Sequence, residues 1–435
     1  MVLIYSHISS SRLQYICSFI FKEQLGLDYQ LTIDSEAFKN HDEAKINYSD
    51  SKISDDEFYI QNHPSLFEND IRTQVVDCFI TNGNKAFFKT PESDFHFDIF
   101  AASFYLLSRY EEYLPYKKDM YGRFAHENSL AYKEGFLNLP LVNIWLQDFA
   151  EKLKEKSPAG SLRTTINFQR STFNFIPTYD IDIAYSYKHK GLLRNAGGFL
   201  RSPSAVRIKV LSGSVKDPFD CFDWLNNLHQ QYHLKPIYFF LVAEKNAEFD
   251  KNILPHTDAM WKLVKKHTAL YEIGIHPSWQ SNAKASVLKN EMEWLAEMSG
   301  IKHITISRQH YIKFSLPGTF RVLIEAGILN EYSMGYGSIN GFRASVASSF
   351  FWYDLEEEVQ TALRLHPFCF MDANSYYEQK QSPKQAYEEL MHYYTVCKAV
   401  NGNLISIFHN NFLGTAPEFT GWKEMYARFI AQVQQ

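Results

Sequence analysis

The stretch Ile-Pro-Thr-Tyr-Asp-Ile-Asp-Ile, residues 176–183, carries an apolar strand into two carboxylates. In extended backbone, side chains two positions apart point to the same side, so Asp180 and Asp182 leave the strand end together. Two carboxylates so placed repel unless a metal or an arginine offsets them. With one bound to a cation, the other is left free as a base. An isolated Asp-x-Asp also serves as a helix cap or a turn, so its meaning depends on what else reaches the same edge.

Outward from this strand, apolar runs alternate with helical patterns. Strands are predicted at Phe173–Tyr179, Pro236–Val242, Tyr271–Ile275, Ile304–Ile306, Leu363–Phe370 and Leu404–Phe408. Helices are predicted around Phe219–Gln231, Thr257–His267, Ala285–Met298 and Pro317–Ala326. Such alternation implies an α/β fold with a parallel sheet, closed or open, whose active residues gather where strands end and loops begin.

Two histidines occupy such ends. His276 follows the strand in Tyr-Glu-Ile-Gly-Ile-His-Pro-Ser-Trp at 271–279, where Gly274 permits close backbone approach. His409 closes the late strand Leu-Ile-Ser-Ile-Phe-His at 404–409. Asp and His together suit zinc or a similar divalent ion, and a histidine near neutral pH suits a general acid. A lone histidine is also a common structural residue, so it is their shared placement that counts.

Upstream, Val2–Tyr5 reads as a strand, followed by a helix that Ser9 or Ser10 can cap. Further strands are predicted at Tyr29–Ile33, Ala44–Tyr48 and Val75–Ile80, with helices at Asp98–Tyr113 and Leu141–Leu153. The polar run Lys-Glu-Lys-Ser-Pro-Ala-Gly-Ser beginning at Lys154 suits a linker, with the boundary near 157–170. At 435 residues the chain is long for one core, so a smaller α/β domain at 1–160 and a second domain at 170–435 are expected.

Composition narrows the function. Hydrophobic residues at 45% against 21% charged describe a folded chain rather than a disordered one. A net charge of −5 offers no broad basic field, so nucleic acid is not an expected partner. The local run Lys188, Lys190, Arg194, Arg201, Arg207 and Lys209 is the exception; it reads either as a solvated face or as a holder of an anion or lipid headgroup. Five cysteines without Cys-x-x-Cys spacing read as reduced, mostly buried thiols. No export signal and no integral membrane segment is legible, which makes a cytoplasmic location the expectation.

In their order and spacing these residues make 170–435 resemble the polysaccharide deacetylases of carbohydrate esterase family four, the NodB-homology domain. The resemblance implies a distorted parallel (β/α) barrel that removes acetyl groups from N-acetylated sugars with a divalent metal, zinc above others. It implies Asp180 as base, Asp182 and His276 as metal ligands, Arg308 in Ser-Arg-Gln-His-Tyr as the residue orienting the base, and His409 as catalytic acid. Asp372 is a second partner expected for Arg308, and the backbone N–H of Tyr311 is expected at the oxyanion. Residues 307–343, with the Ser-Arg-Tyr-Glu-Glu-Tyr segment at 108–113, resemble a bacterial subgroup that carries an extra N-terminal domain.

One departure matters. The family's second ligand histidine falls four residues after the first, where this chain has Gln280. His310 is the candidate to fill the gap; the alternative is a structural ring stacked among Tyr311 and Phe314. The expected partner is an acetylated glycan or glycan precursor. The rival functions are a barrel that binds sugar without hydrolysing it, which metal analysis would reveal, and a hydrolase of another small amide, which a substrate panel would reveal.

Overall fold

The computed structural model describes residues 1–158, 162, 172–201, 203–282 and 284–434. The linker predicted near 157–170 thus lies almost wholly outside the described residues. The chain divides into two compact units, one of Met1–Asn174, Phe342–Pro367 and Val396–Asn403, the other of Phe175–Gly341, Phe368–Thr395 and Leu404–Gln435. Among the described residues, no helix is long and apolar enough to cross a membrane.

In the first unit, β1 (Val2–Tyr5), β2 (Tyr29–Thr32), β3 (Lys45–Ser49) and β4 (Phe58–Gln61) form a parallel sheet in the order β2-β1-β3-β4. Every residue of β1 is buried, as its unbroken apolar run requires of a central parallel strand. Ser10 caps the helix Ser11–Cys17 by accepting from Leu13 N–H. The run predicted as a strand at Val75–Ile80 pairs only at its end, where β5 (Phe79–Thr81) and β6 (Asn84–Ala86) form a short hairpin. Asp98 caps the helix Ile99–Leu107 and, fully buried, also accepts from the Tyr48 hydroxyl and His63 N–H at 2.6 Å each.

The Ser108–Tyr113 segment builds a buried ion network in this unit. Arg109, in left-handed backbone at φ 55°, donates to Glu112 at 2.8 Å, and Arg343 donates to the same carboxylate at 2.6 Å. Two guanidiniums outweigh the cost of burying Glu112 and hold its carboxyl below the usual range. The pair of glutamates in the segment therefore divides its work: Glu112 joins residue 109 to residue 343, while Glu111 accepts from Leu130 N–H at 2.9 Å.

The second unit begins its sheet with β7 (Asn174–Ile181), β8 (Ile237–Phe240), β9 (Glu272–Ile275), β10 (Ile306–Ser307) and β11 (Asn330–Glu331), each parallel to the next. The helices Phe222–Gln231, Asp258–Thr268, Ala285–Ser299 and Gly318–Glu325 connect them, close to the predicted spans. Gly274 is needed at the centre. A Cβ there would stand 2.8 Å from the Phe239 ring and 2.9 Å from the Ile306 carbonyl.

The chain then returns to the first unit with an antiparallel pair, β12 (Phe350–Asp354) and β13 (Val359–Leu365). The single strand predicted at Leu363–Phe370 is in fact two, the end of β13 and then β14 (Phe370–Met371), which pairs in parallel with β15 (Asn403–His409). In the second unit the order is β11-β10-β9-β8-β7-β15-β14. Here the barrel expectation needs correction: among the described residues β14 does not pair with β11, and the sheet is open. Both terminal strands are two residues long, which leaves little ladder with which to close.

Candidate active site and metal centre

The C-terminal ends of β7, β9, β10 and β15 bring the predicted residues to one place. Asp180 is buried on β7, and Asp182, just beyond the strand, keeps its side chain 23% exposed. Arg308, fully buried after β10, donates from Nη1 to Asp180 Oδ1 at 2.8 Å and to Thr178 Oγ1 at 2.8 Å, and from Nε to the Tyr332 carbonyl at 3.1 Å. The other Asp180 oxygen, Oδ2, stands 3.9 Å from His276 Nε2.

Three imidazoles converge on Asp182 through Nε2. His276 lies 3.1 Å from Oδ1, while His310 and His409 each lie 3.4 Å from Oδ2. Each ring is held from behind through Nδ1: His276 on the Arg308 carbonyl at 2.6 Å, His310 on Asp250 at 3.0 Å, and His409 on Asp372 at 2.6 Å. A carbonyl can only accept, so His276 carries its proton on Nδ1 and presents a lone pair at Nε2 when neutral. Carboxylates impose the same tautomer on the other two rings.

The charges follow from this packing. Burial would raise the Asp182 carboxyl, but His310, His276 and His409 together hold it well below the usual range. Burial would lower His310 and His409; instead Asp182 and Asp250 raise His310 to about 9, and Asp372 and Asp182 raise His409 well above the usual imidazole range. Asp372, wholly buried, is itself pushed up by desolvation.

Asp182, His276 and His310 offer ligand atoms that all lie within 4.8 Å of one another. The buried Asp182 Oδ1 has no hydrogen-bond donor even though His276 Nε2 is 3.1 Å away, out of line for a bond. A carboxylate oxygen without a donor, facing an imidazole nitrogen, suits a shared cation. One carboxylate and two imidazoles are also an ordinary donor set for catalytic zinc, which keeps a position open. The residues present therefore fit a divalent metal.

Two details differ from the sequence reading. Asp372 does not partner Arg308; its carboxylate accepts from the His409 ring and from His409 N–H at 2.7 Å. Gln280 is not at the triad: its amide donates to Asp250 Oδ2 at 3.1 Å and to the Lys245 carbonyl at 3.2 Å. Asp250 itself is absent from the sequence reading. It follows β8 in an ordinary polar loop, and no spacing relative to His310 marks it. Tyr311 stands beside His310 in left-handed backbone at φ 59°, its ring 5.4 Å from Phe249 and 5.7 Å from Trp279. The His310 ring lies 4.7 Å from that of Tyr311, tilted rather than stacked on it, and its Nε2 faces Asp182.

Residues 2–158 match the model of a family of unknown function, DUF7033. No curated protein matches the chain. Among solved structures, a protein assigned as a polysaccharide deacetylase from Mycobacterium smegmatis is 14% identical, with 61% of this chain and 84% of that one covered and a TM-score of 0.40. The Puue allantoinase is 12% identical over 60% and 84% of the two chains, at a TM-score of 0.37. A CE4-family pseudoenzyme from Bacillus anthracis is 7% identical over 60% and 61%, at 0.31. Likenesses this distant give no residue of this chain a role.

Proposed function

We propose that the second unit is a metal-dependent hydrolase that removes acetyl groups from N-acetylated sugars or polysaccharide precursors. The observation that carries the reading is the convergence of three Nε2 atoms on Asp182 beside a second carboxylate gripped by an arginine. We read its strands as a distorted deacetylase-type barrel left open between β14 and β11.

Asp182, His276 and His310 would hold the ion, zinc or a similar one. When bound, it supplies Lewis acidity toward the acetyl carbonyl and the attacking water. Asp180, with Oδ1 fixed by Arg308, turns Oδ2 toward the same space and takes the proton as water adds to the acetyl carbon. The Tyr311 N–H donates to the developing oxyanion. His409, its Nδ1 anchored on Asp372, gives the Nε2 proton to the departing amine as the C–N bond breaks. Acetate and a free amino sugar result, and the two protons balance.

The test is acetate release from chitooligosaccharides by zinc-loaded protein. Release that stops on chelation and returns with metal supports the reading. Tight zinc binding without release from acetylated sugars, but with turnover of simple amides, would favour the other amide hydrolase.

A further inference from the structure

Between Asp182 and Asp217 the chain carries seven basic residues and no acidic one, within a protein of net charge −5. This segment leaves the candidate site two residues after Asp182 and is clamped at its base. Asn410 donates to the Ile183 and Ala184 carbonyls at 3.2 Å each, and the Asp217 carboxylate accepts the N–H groups of Ser186, Tyr187 and Lys188 at 2.7–2.9 Å. Asp217 is thereby occupied with backbone. Lys216 pairs with nearby acids, Asp220 and Asp223. Among the described residues Lys188, Lys190, Arg194, Arg207 and Lys209 make no ion pair.

The segment forms two helices, Leu192–Arg201 and Ala205–Leu211. Arg207 ties them together: it donates to the Asn195 carbonyl at 3.2 Å, lies over the Tyr187 ring, and comes so near Gly198 that a Cβ there would stand 2.7 Å from its Nη1. Val210 is buried, but other aliphatic side chains of the hairpin are outside. Leu200 is 83% exposed, Ile208 56% and Leu211 49%. Ile208 and Leu211 stand one turn apart on a common face with exposed Lys209 between them in sequence.

We infer that this helical hairpin docks the protein on an anionic lipid bilayer, its aliphatic side chains entering the headgroup boundary and its lysines and arginines meeting the lipid phosphates and carboxylates. Cationic charge interleaved with exposed aliphatic residues is what interfacial binding needs, since both the buried apolar area and the attraction to anionic lipid contribute. Nucleic acid would use the charge but not the aliphatics, because base stacking wants aromatic or guanidinium planes. Docking there would bring the strand-end site toward the bilayer surface, which suits a lipid-linked substrate.

Vesicle flotation of the full chain tests this without reference to catalysis, so the outcome is independent of the hydrolase reading. The protein should float with vesicles in which about a third of the lipid is phosphatidylserine, not with phosphatidylcholine alone, and should release as salt rises to about 0.5 M. Lys209→Glu should weaken binding by roughly tenfold or more, given about fivefold for each cationic charge near the surface and the repulsion added by reversal. Ile208→Ser with Leu211→Ser should weaken it at unchanged salt dependence. All three positions are exposed, and an unaltered circular dichroism spectrum verifies the fold. Equal flotation with both vesicle types, full binding by Lys209→Glu, or capture of a duplex oligonucleotide in place of vesicles would overturn the proposal.

Discussion

His310 rests Nδ1 on the buried carboxylate of Asp250 at 3.0 Å and so turns Nε2 toward Asp182, 3.4 Å away. A carboxylate behind an imidazole fixes the tautomer and raises the basicity of the outward nitrogen, the usual support of a metal-bound histidine. His310 stands 30 residues beyond Gln280 in the chain, and the pair would supply there the ligand that residue 280 lacks.

Asp250→Ala should therefore weaken zinc binding by about 10- to 100-fold while leaving all three direct ligands in place. Gln280→Ala removes only one of the donors to Asp250 and should weaken binding by less than about fivefold, one hydrogen bond being worth ~1 kcal/mol. Competition titration with a chromophoric chelator measures both. Equal affinities for wild type and Asp250→Ala would remove Asp250 from the site.

Asp180→Asn keeps the shape of the side chain but cannot accept the proton from water. Metal content should be unchanged and turnover should fall by about 10²- to 10⁴-fold. Elemental analysis and acetate release on the same preparation separate the two effects. Unchanged turnover would show that another group is the base.

Zinc uptake should release protons. In the metal-free protein Asp182 and Asp250 outweigh burial and raise His310 to about 9, so its Nε2 is protonated at neutral pH and must ionise before it can donate to a metal. Affinity should rise with pH between about 6 and about 8. Calorimetry in buffers of different ionisation enthalpy reads the proton count directly, and a pH-independent affinity with no protons released would contradict the assignment.

The first unit offers a stability test away from the site. Burial pushes the Asp98 carboxyl up to about 6, despite its bonds from Tyr48, Ala101, His63 and Phe100. A carboxyl more basic in the fold than in the unfolded chain contributes stability below the lower value, and this is lost as pH rises through the higher one. The stability of wild type relative to Asp98→Asn should thus decline between about pH 4 and about pH 6. Asp98→Ala should cost about 2–4 kcal/mol at about pH 4, through loss of the helix cap and two further bonds, and progressively less as pH rises toward about 6. Urea unfolding across that range checks both.

Much of this was legible in the chain. Asp180, Asp182, His276 and His409 all sit where an apolar run meets a polar loop, and parallel alternation placed those ends on one edge. The alternation also located four connecting helices of the second unit within a few residues. What escaped depends on distance in space. Asp250 stands in Phe-Asp-Lys-Asn, with no periodicity to separate it from any loop aspartate. Asp372 lay near both Arg308 and His409 as a strand-end residue, and only the pairing of β14 with β15 decides for His409. The strand predicted at Leu363–Phe370 is one apolar run in sequence, but His366 and Pro367 interrupt it, and the part before them belongs to the first unit. Closure of a sheet is a long-range property, and no local pattern reports it.

Isothermal titration of the metal-free chain with zinc, wild type beside His310→Ala, tests the central claim most directly. A site of Asp182, His276 and His310 predicts one zinc per chain for wild type and, with one of three protein ligands gone, a loss of at least about 100-fold in affinity for the variant. Indistinguishable affinities would exclude His310 as a ligand, and no measurable binding by wild type would contradict the metal-dependent mechanism and favour a barrel that binds sugar without cleaving it.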